Sequence, residues 1–311
     1  MSPTFPTSES LPPPLAGEGR GGGEGLVRNA TDGIRPETAG WTYLSFRTVR
    51  REVDDELAGQ TGDEETALIW LGGIAEVAGF GTVGGREDVF KGKPWALLLP
   101  PGTTYRIRAR SPLHLAIVSA PAEATVPARL IRPDEVRVEI RGKGVTERRI
   151  HWIVSEHDPA ARLLLVEVLT PAGHWSTYPP HKHDEDKAGV ERALEELYYY
   201  RFNPEQGFAF QGIYTKSPHP ALPERLKRSP GTKAPLAWAD GPGERGRETE
   251  SLNVSIRARH EDLILVPRGY HVVSAAPGYD CYYLNAMAGA VREWLFTTDP
   301  DHEWLMDWKK T

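Results

Sequence analysis

Apolar residues in this chain come in short runs, and Gly, Pro or Asp interrupts them too regularly for helices. Residues 66–71, 75–78, 95–99, 105–109 and 113–118 are each of strand length. Several alternate polar with apolar, as in Tyr105-Arg106-Ile107-Arg108-Ala109. Turn signals separate them at Gly72-Gly73, Gly84-Gly85 and Pro100-Pro101-Gly102. Many brief strands spaced by such turns predict a β-sandwich or barrel. A second block of the same texture follows in runs 150–154, 163–168, 197–202, 207–211, 262–266 and 280–284. The expected fold is therefore all-β, with jelly-roll-like halves over residues 37–145 and 146–311. Helix is scarce, and Glu191 to Glu196 and Asp299 to Trp308 are the candidate helical turns.

Two segments break the pattern. Residues 1–36 contain Leu11-Pro12-Pro13-Pro14 and the run Gly17 to Gly25, with almost nothing to bury, and are expected to form a disordered tail. The glycines lack the preceding strand and following Lys-Ser/Thr of a phosphate loop. Residues 217–250 carry Pro218, Pro220, Pro223, Pro230, Pro235 and Pro242 among scattered Arg and Lys, and read as a flexible insertion.

Composition narrows the function. Over 311 residues the net charge is −6, so no excess of Lys and Arg points to nucleic acid or an anionic membrane surface. Gly 31 and Pro 27 together exceed the usual share, in keeping with the two unpacked segments. The single cysteine, Cys281, cannot form an intrachain disulfide, and no run approaches the roughly 18 apolar residues of a membrane span. The N-terminal residues, with Pro3, Pro6 and Glu9, do not read as a secretory signal. A reducing cytoplasmic setting is expected.

The chemistry is concentrated in Pro179-Pro180-His181-Lys182-His183-Asp184. On one strand the period of two puts His181 and His183 on the same face, which suits two ligands of one metal. Glu195-Glu196-Leu197-Tyr198-Tyr199-Tyr200 opens a strand further on, and Pro267-Arg268-Gly269-Tyr270-His271 makes a tight turn after Val266. Three histidines and a carboxylate thus follow the order in which a cupin barrel delivers its ligands. The spacing departs from the general cupin pattern, because Glu196 stands far beyond His183 and Glu261 replaces a Gly.

These residues resemble one branch of the cupins. The His181 hexapeptide, the stretch Leu194 to Phe202, Gly207 to Gln211, Val266 to His271, Ala276 to Asn285, Asn285-Ala286-Met287-Ala288-Gly289 and Asp299 to Trp304 are similar to the 5-deoxy-glucuronate isomerase family of myo-inositol catabolism, related to the 4-deoxy-5-ketouronate isomerases. The resemblance covers roughly residues 38–311 apart from the insertion. It implies a bicupin whose C-terminal barrel holds a divalent metal through His181, His183, Glu196 and His271. Glu196 is preferred over Glu195 and Glu191 because it directly precedes the aromatic strand, as the ligand Glu does in the ketouronate isomerases. Zinc is the metal the resemblance favours, with manganese and iron open. Gly212 stands where that family has Arg, and Arg259-His260-Glu261-Asp262 replaces a Gly-Asp turn.

The resemblance further implies a sugar acid substrate and a 1,2-shift of an aldehyde, 5-deoxy-glucuronate, to the 2-ketone, 5-dehydro-2-deoxy-gluconate. Arg268 and Arg201 are candidates for the substrate carboxylate, since a guanidinium matches it bidentately. Tyr198, Tyr200, Tyr282 and Lys182 are candidate proton carriers. His114, alone on an apolar run, is expected to pack in the core, as are Trp304 and Trp308; His302 can be either packing or function. The N-terminal half is expected to be structural or to help dimerise, so a homo-oligomer is compatible with the sequence. Rival readings are the sister ketouronate isomerase, a sugar-responsive cupin without turnover, and an iron-dependent oxygenase.

Overall fold

Strands form where the alternating runs predict them and also where charge hides them. The computed structural model describes residues 24–123, 126–215 and 252–308. The predicted insertion and the first 23 residues of the predicted tail lie outside the described residues. After β1 (Val27–Asn29), the N-terminal barrel is built from β2 (Ser45–Arg51), β3 (Glu56–Gln60), β4 (Glu64–Gly72), β5 (Ile74–Val77), β6 (Gly81–Gly84), β7 (Ala96–Leu99), β8 (Thr104–Ala109), β9 (Leu113–Pro121) and β10 (Arg129–Ile131). The C-terminal barrel uses β11 (Arg137–Arg141), β12 (Arg148–Val154), β13 (Leu164–Thr170), β14 (Trp175–Lys182), β15 (Glu195–Asn203), β16 (Phe208–Tyr214), β17 (Asn253–Arg259), β18 (Asp262–Val266), β19 (Tyr270–Ala275), β20 (Asp280–Ala288) and β21 (Thr297–Thr298). Among the described residues helix is limited to short pieces, α1 (Pro36–Ala39) and α2 (Leu305–Trp308), and brief 3-10 turns.

In the N-terminal barrel the five-stranded sheet β10-β7-β4-β9-β2 packs on the four-stranded sheet β3-β8-β5-β6. In the C-terminal barrel the seven-stranded sheet β1-β18-β15-β20-β13-β12-β11 packs on β17-β16-β19-β14-β21. The larger sheets lie back to back. Ala67, Ile69 and Leu71 of β4 meet Leu197 and Tyr199 of β15 in one core, while Leu68 and Trp70 face the first barrel's interior and Tyr198, Tyr200 and Phe202 the second's. Both faces of the central strands are covered, and so they read as continuous apolar runs rather than as alternation.

Carboxylates at the interface pin the barrels together. Glu65 on β4 accepts hydrogen bonds from the backbone N–H groups of Ala161, Arg162 and Leu163 at 2.6, 2.8 and 2.9 Å. Glu195 on β15 reciprocates, accepting from Thr42, Tyr43 and Leu44 at 2.5, 2.9 and 2.9 Å. Arg86 crosses the interface to Glu167 through paired contacts of 2.9 and 3.0 Å. Burial works to raise the Glu167 pKa, but Arg86 and His151 outweigh it and hold the carboxyl below its usual range.

The boundaries differ from expectation in several places. Residues 24–36, predicted as tail, include β1, which pairs with β18 through Val27 and Ile264 and covers an edge of the C-terminal sheet. Strand β11 belongs to the C-terminal sheet through pairing with β12, so the halves divide between Ile131 and Arg137 rather than at 145. Glu191 to Glu196 forms no helical turn, because Glu191 bridges to Lys187 and Glu195 already starts β15. The turn at Asp299 to Trp308 does form, as a 3-10 turn capped by Asp299 followed by α2. Trp304 does not pack, being 67% exposed, and the side chain of Trp308 lies outside the described residues.

Candidate metal centre

Strand register brings the distant histidines together. His181 on β14 pairs with His271 on β19, and His183 follows immediately after β14 ends at Lys182. The three rings lie 4.7 to 5.8 Å apart between centroids, and their ligand nitrogens fall within 4.8 Å of one another. Between the Ser176 and His181 pairings the ladder shifts register, and Thr177 adopts a left-handed φ of 54°. For a β-branched residue that conformation is strained and marks an enforced bulge. The bulge bows residues 177–180 out of the ladder just before the first histidine.

Each imidazole is oriented by its far nitrogen. Nδ1 of His181 contacts the Pro179 carbonyl at 3.3 Å, that of His183 the Leu295 carbonyl at 3.3 Å, and that of His271 the Gly269 carbonyl at 3.2 Å. A carbonyl only accepts, so each Nδ1 carries the proton and each Nε2 presents a lone pair. The buried Nε2 atoms of His183 and His271 have no hydrogen-bond partner, and neither has Oε2 of Glu196. That oxygen lies 2.9 Å from His271 Nε2. Its twin Oε1 is occupied, accepting from Tyr198 Oη at 2.9 Å and Asn285 Nδ2 at 2.8 Å. Three inward lone pairs and one free carboxylate oxygen are the donor set of a divalent metal site. Their orphaned state makes the residues present fit such an ion.

Without an ion, the electrostatics leave His181 and His183 neutral and favour a proton between His271 Nε2 and Glu196 Oε2, which a metal would replace. Burial, reinforced by the neighbouring imidazoles, pushes His181 well below the usual histidine range. Burial also lowers His183, against the pull of Glu196. At His271 burial acts downward too, but the Glu196 carboxylate overrides it and the pKa rises. Burial would raise Glu196, yet His271, His183 and His181 together hold it far below the carboxylate range.

His181 and Glu196 face a cavity that Arg148, Thr177, Tyr283 and Asn285 also line, with Trp294, Phe296 and Met306 on its wall. Of the six side chains predicted to bind the carboxylate or carry protons, Tyr198 lines it and the other five do not. Tyr282 points to the inter-barrel face, where its hydroxyl donates to Glu167 at 3.0 Å; the adjacent Tyr283 faces the cavity instead. Arg201 lies on the same outer face of β15 as Tyr199, bonded to His114 Nδ1 at 3.2 Å and 3.8 Å from Glu261. Lys182 is held by Glu191 and Glu185, each at 3.1 Å, on the side away from the histidines. Tyr200 stacks between Tyr198 and Phe202 in the barrel interior and donates to Gln211 at 3.0 Å. Arg268 sits partly exposed in the turn after β18. His114 packs at the barrel interface rather than in an apolar core, with Arg201 as its partner.

The other carboxylates weighed as ligands are committed elsewhere. Glu191 accepts from the backbone N–H groups of Asp184 and Glu185 at 2.7 and 3.0 Å, shaping the loop after His183. Glu195 docks the N-terminal barrel. Gly212 points out of the barrel, since its neighbours Gln211 and Ile213 are the buried ones. Glu261, at φ 68°, pairs with Arg50 across the interface.

The N-terminal barrel repeats the geometry with different side chains. Gln60 pairs with Thr104 as His181 pairs with His271, and Thr66 pairs with Leu99 as Glu196 pairs with Val266. The following turns match as well, Leu99-Pro100-Pro101-Gly102 against Val266-Pro267-Arg268-Gly269, with both glycines at positive φ. Gln60, Thr66 and Thr104 thus stand where the other barrel has two histidines and a glutamate. Among the described residues, His181, His183 and His271 form the one such group able to hold a metal.

A family model described as the KduI/IolB family matches residues 24–225 and 245–305. The chain belongs to the KduI/IolB family. Within it, the 5-deoxy-glucuronate isomerase of Geobacillus thermodenitrificans is 41% identical over 281 residues, covering 89% of this chain and 91% of that protein. The corresponding protein of Halalkalibacterium halodurans is 34% identical, covering 88% and 92%. The crystal structure of an IolB-like protein from Salmonella typhimurium LT2 superimposes with a TM-score of 0.77 at 34% identity, over 90% of this chain and 99% of that one. Oxalate decarboxylase from Lactobacillus farciminis shares the fold alone, with a TM-score of 0.57 at 10% identity. The all-β bicupin expected from the sequence is the fold found. No helix among the described residues is long and apolar enough to cross a membrane.

Proposed function

We propose that this chain is a metal-dependent aldose-ketose isomerase that converts 5-deoxy-glucuronate into 5-dehydro-2-deoxy-gluconate in the degradation of myo-inositol. The observation that carries the reading is the convergence of three imidazoles and Oε2 of Glu196 beside a cavity that His181 and Glu196 line, in a chain whose relatives bear that enzyme's name. A cytoplasmic setting suits a protein with one buried cysteine. Zinc suits the donor set of three nitrogens and one carboxylate.

A 1,2-shift moves a proton from C2 to C1 while the carbonyl moves the other way. A divalent ion held by His181, His183, His271 and Glu196 would supply Lewis-acid polarisation of the adjacent carbonyl and hydroxyl oxygens. The chain's own residues fix the rest. Tyr198 and Asn285 hold Oε1 of Glu196, so only Oε2 is offered inward. Burial raises the Tyr198 phenol well above its ordinary value, so it stays a donor at neutral pH. Tyr283 is also raised by burial, and its hydroxyl is tied to Ser176 Oγ at 2.5 Å and Thr177 Oγ1 at 3.3 Å. It is a protonated group at the cavity wall, placed to hydrogen-bond a substrate oxygen. Trp294 and Phe296 give the same cavity an apolar side. Elemental analysis of the purified protein beside an assay of 5-deoxy-glucuronate tests the reading: near-stoichiometric divalent metal and turnover are expected, and an inactive, metal-replete protein would refute it.

A further inference from the structure

Arg148 is the first residue of β12, and alternation with Ile150 and Trp152 turns it into the C-terminal barrel. It is 5% exposed. Its guanidinium donates to two backbone carbonyls, Thr146 O at 2.9 Å and Tyr178 O at 3.3 Å. Among the described residues no carboxylate lies within ion-pair distance of it. The nearby acid, Glu139, is already taken by Arg141 at 2.6 and 3.0 Å and by Trp152 at 3.0 Å. The other buried arginine side chain among the described residues, Arg86, is by contrast matched by Glu167. A buried guanidinium without a counter-charge is costly, and it marks a place where an anion completes the structure. Burial lowers the pKa of Arg148, the direction expected of a cation lacking that partner.

The location gives the anion its chemistry. Arg148 lines the same cavity as His181 and Glu196, and Tyr283 and Thr177 share its wall. We propose that Arg148 binds the carboxylate of the sugar acid while the histidine cluster takes the aldehyde end, so that this one residue selects uronates over neutral aldoses. The inference rests on the isomerase reading for the identity of the substrate, and on the unpaired buried guanidinium for the anion site. Arg268 and Arg201 do not share this placement: neither lines the cavity. The two carbonyl contacts hold the fork in place at the bulge of residues 177–180 and leave donors of a five-donor group for a bidentate partner.

The test uses metal-loaded wild type, Arg148→Gln and Arg148→Lys, checked for bound metal and circular dichroism. D-gluconate serves as an acid probe, and D-glucitol, its uncharged counterpart, as the control. Gluconate is expected to raise the melting temperature of the wild type more than glucitol does, and Arg148→Gln to lose that difference while keeping its metal. With 5-deoxy-glucuronate, Arg148→Gln is expected to raise KM by about 30-fold or more, with a smaller change in kcat, as for removal of one partner of a buried charge pair. Arg148→Lys, which keeps the charge, should recover part of the affinity and covers the case in which the Gln variant does not fold. A gluconate preference that survives in Arg148→Gln, or a KM within threefold of wild type, would overturn the proposal. A wild type that turns over no 5-deoxy-glucuronate but loses its gluconate preference in Arg148→Gln would refute the isomerase reading and leave the anion site standing.

Discussion

Glu195 and Glu196 are neighbours in sequence and serve opposite sides of the molecule: the first accepts three backbone hydrogen bonds from residues 42–44 of the other barrel, and the second aims Oε2 at His271. Alternation along β15 enforces the split. Glu196→Gln removes the only carboxylate of the proposed ligand set, and metal affinity should fall by about 10-fold or more, measured by competition with a chelator. Glu195→Gln should leave metal affinity unchanged and instead lower stability by about 2 kcal/mol, read as a shift in denaturant midpoint. Reversal of the two effects would put the strand out of register by one.

The support of Glu196 can be removed while every ligand stays. Asn285→Ala takes away the 2.8 Å donor to Oε1 and should weaken metal binding about 10-fold to 100-fold, because outer-shell partners orient the ligands they touch. Tyr282→Phe, on the other face of the same strand, should leave metal affinity alone. Equal losses from both would show that the change acts through folding.

Docking of the barrels depends on a buried ion pair. Arg86→Met would strand Glu167, fully buried, without its guanidinium, and should cost about 3–5 kcal/mol in chemical denaturation. Adding Glu167→Leu should recover much of that loss, since a matched apolar pair does not carry an orphaned charge. Failure of the second change to help would mean that His151 and Tyr282, which also contact Glu167, are the stabilising partners.

Acid sensitivity has a specific source at the interface. Burial, aided by Arg50 and Arg201, pushes His114 down to a pKa of about 3. The unfolded chain takes up this proton near pH 6.5 and the folded chain does not, so the stabilisation is full above pH 6.5 and declines as pH falls from there toward 3. The slope is about 1.4 kcal/mol per pH unit at most. Denaturation of wild type and His114→Gln between pH 7 and 5 should converge as pH falls, with the variant flatter. Parallel curves would remove His114 as the source.

The large features of this fold were legible because they rest on local pattern. The apolar runs at 66–71, 163–168 and 197–202 became central strands, and the His181 hexapeptide marked the histidine cluster. What escaped was set by distance or by charge. Strand β2, Ser-Phe-Arg-Thr-Val-Arg-Arg, carries three arginines yet buries Phe46, Thr48 and Val49, and β1 is ordered only because β18 offers it an edge. Tyr282 and Tyr283 look alike in the sequence, and only the register with Tyr200 and Arg201 fixes which side each takes. Arg148 carried a readable signal, the alternation Arg148, Ile150, Trp152, but an arginine at a strand start reads as exposed until its surroundings are known.

The central claim, that the histidine cluster and Glu196 make this chain an isomerase of a uronate aldehyde, is tested most directly by 13C NMR of 5-deoxy-glucuronate incubated with the protein before and after metal stripping. The account predicts that the metal-loaded protein replaces the C1 aldehyde signal with those of a hydroxymethyl group and a C2 ketone, that the stripped protein does not, and that restoring a divalent metal restores the conversion. Equal rates before and after stripping, or no conversion by the metal-loaded protein, would contradict it.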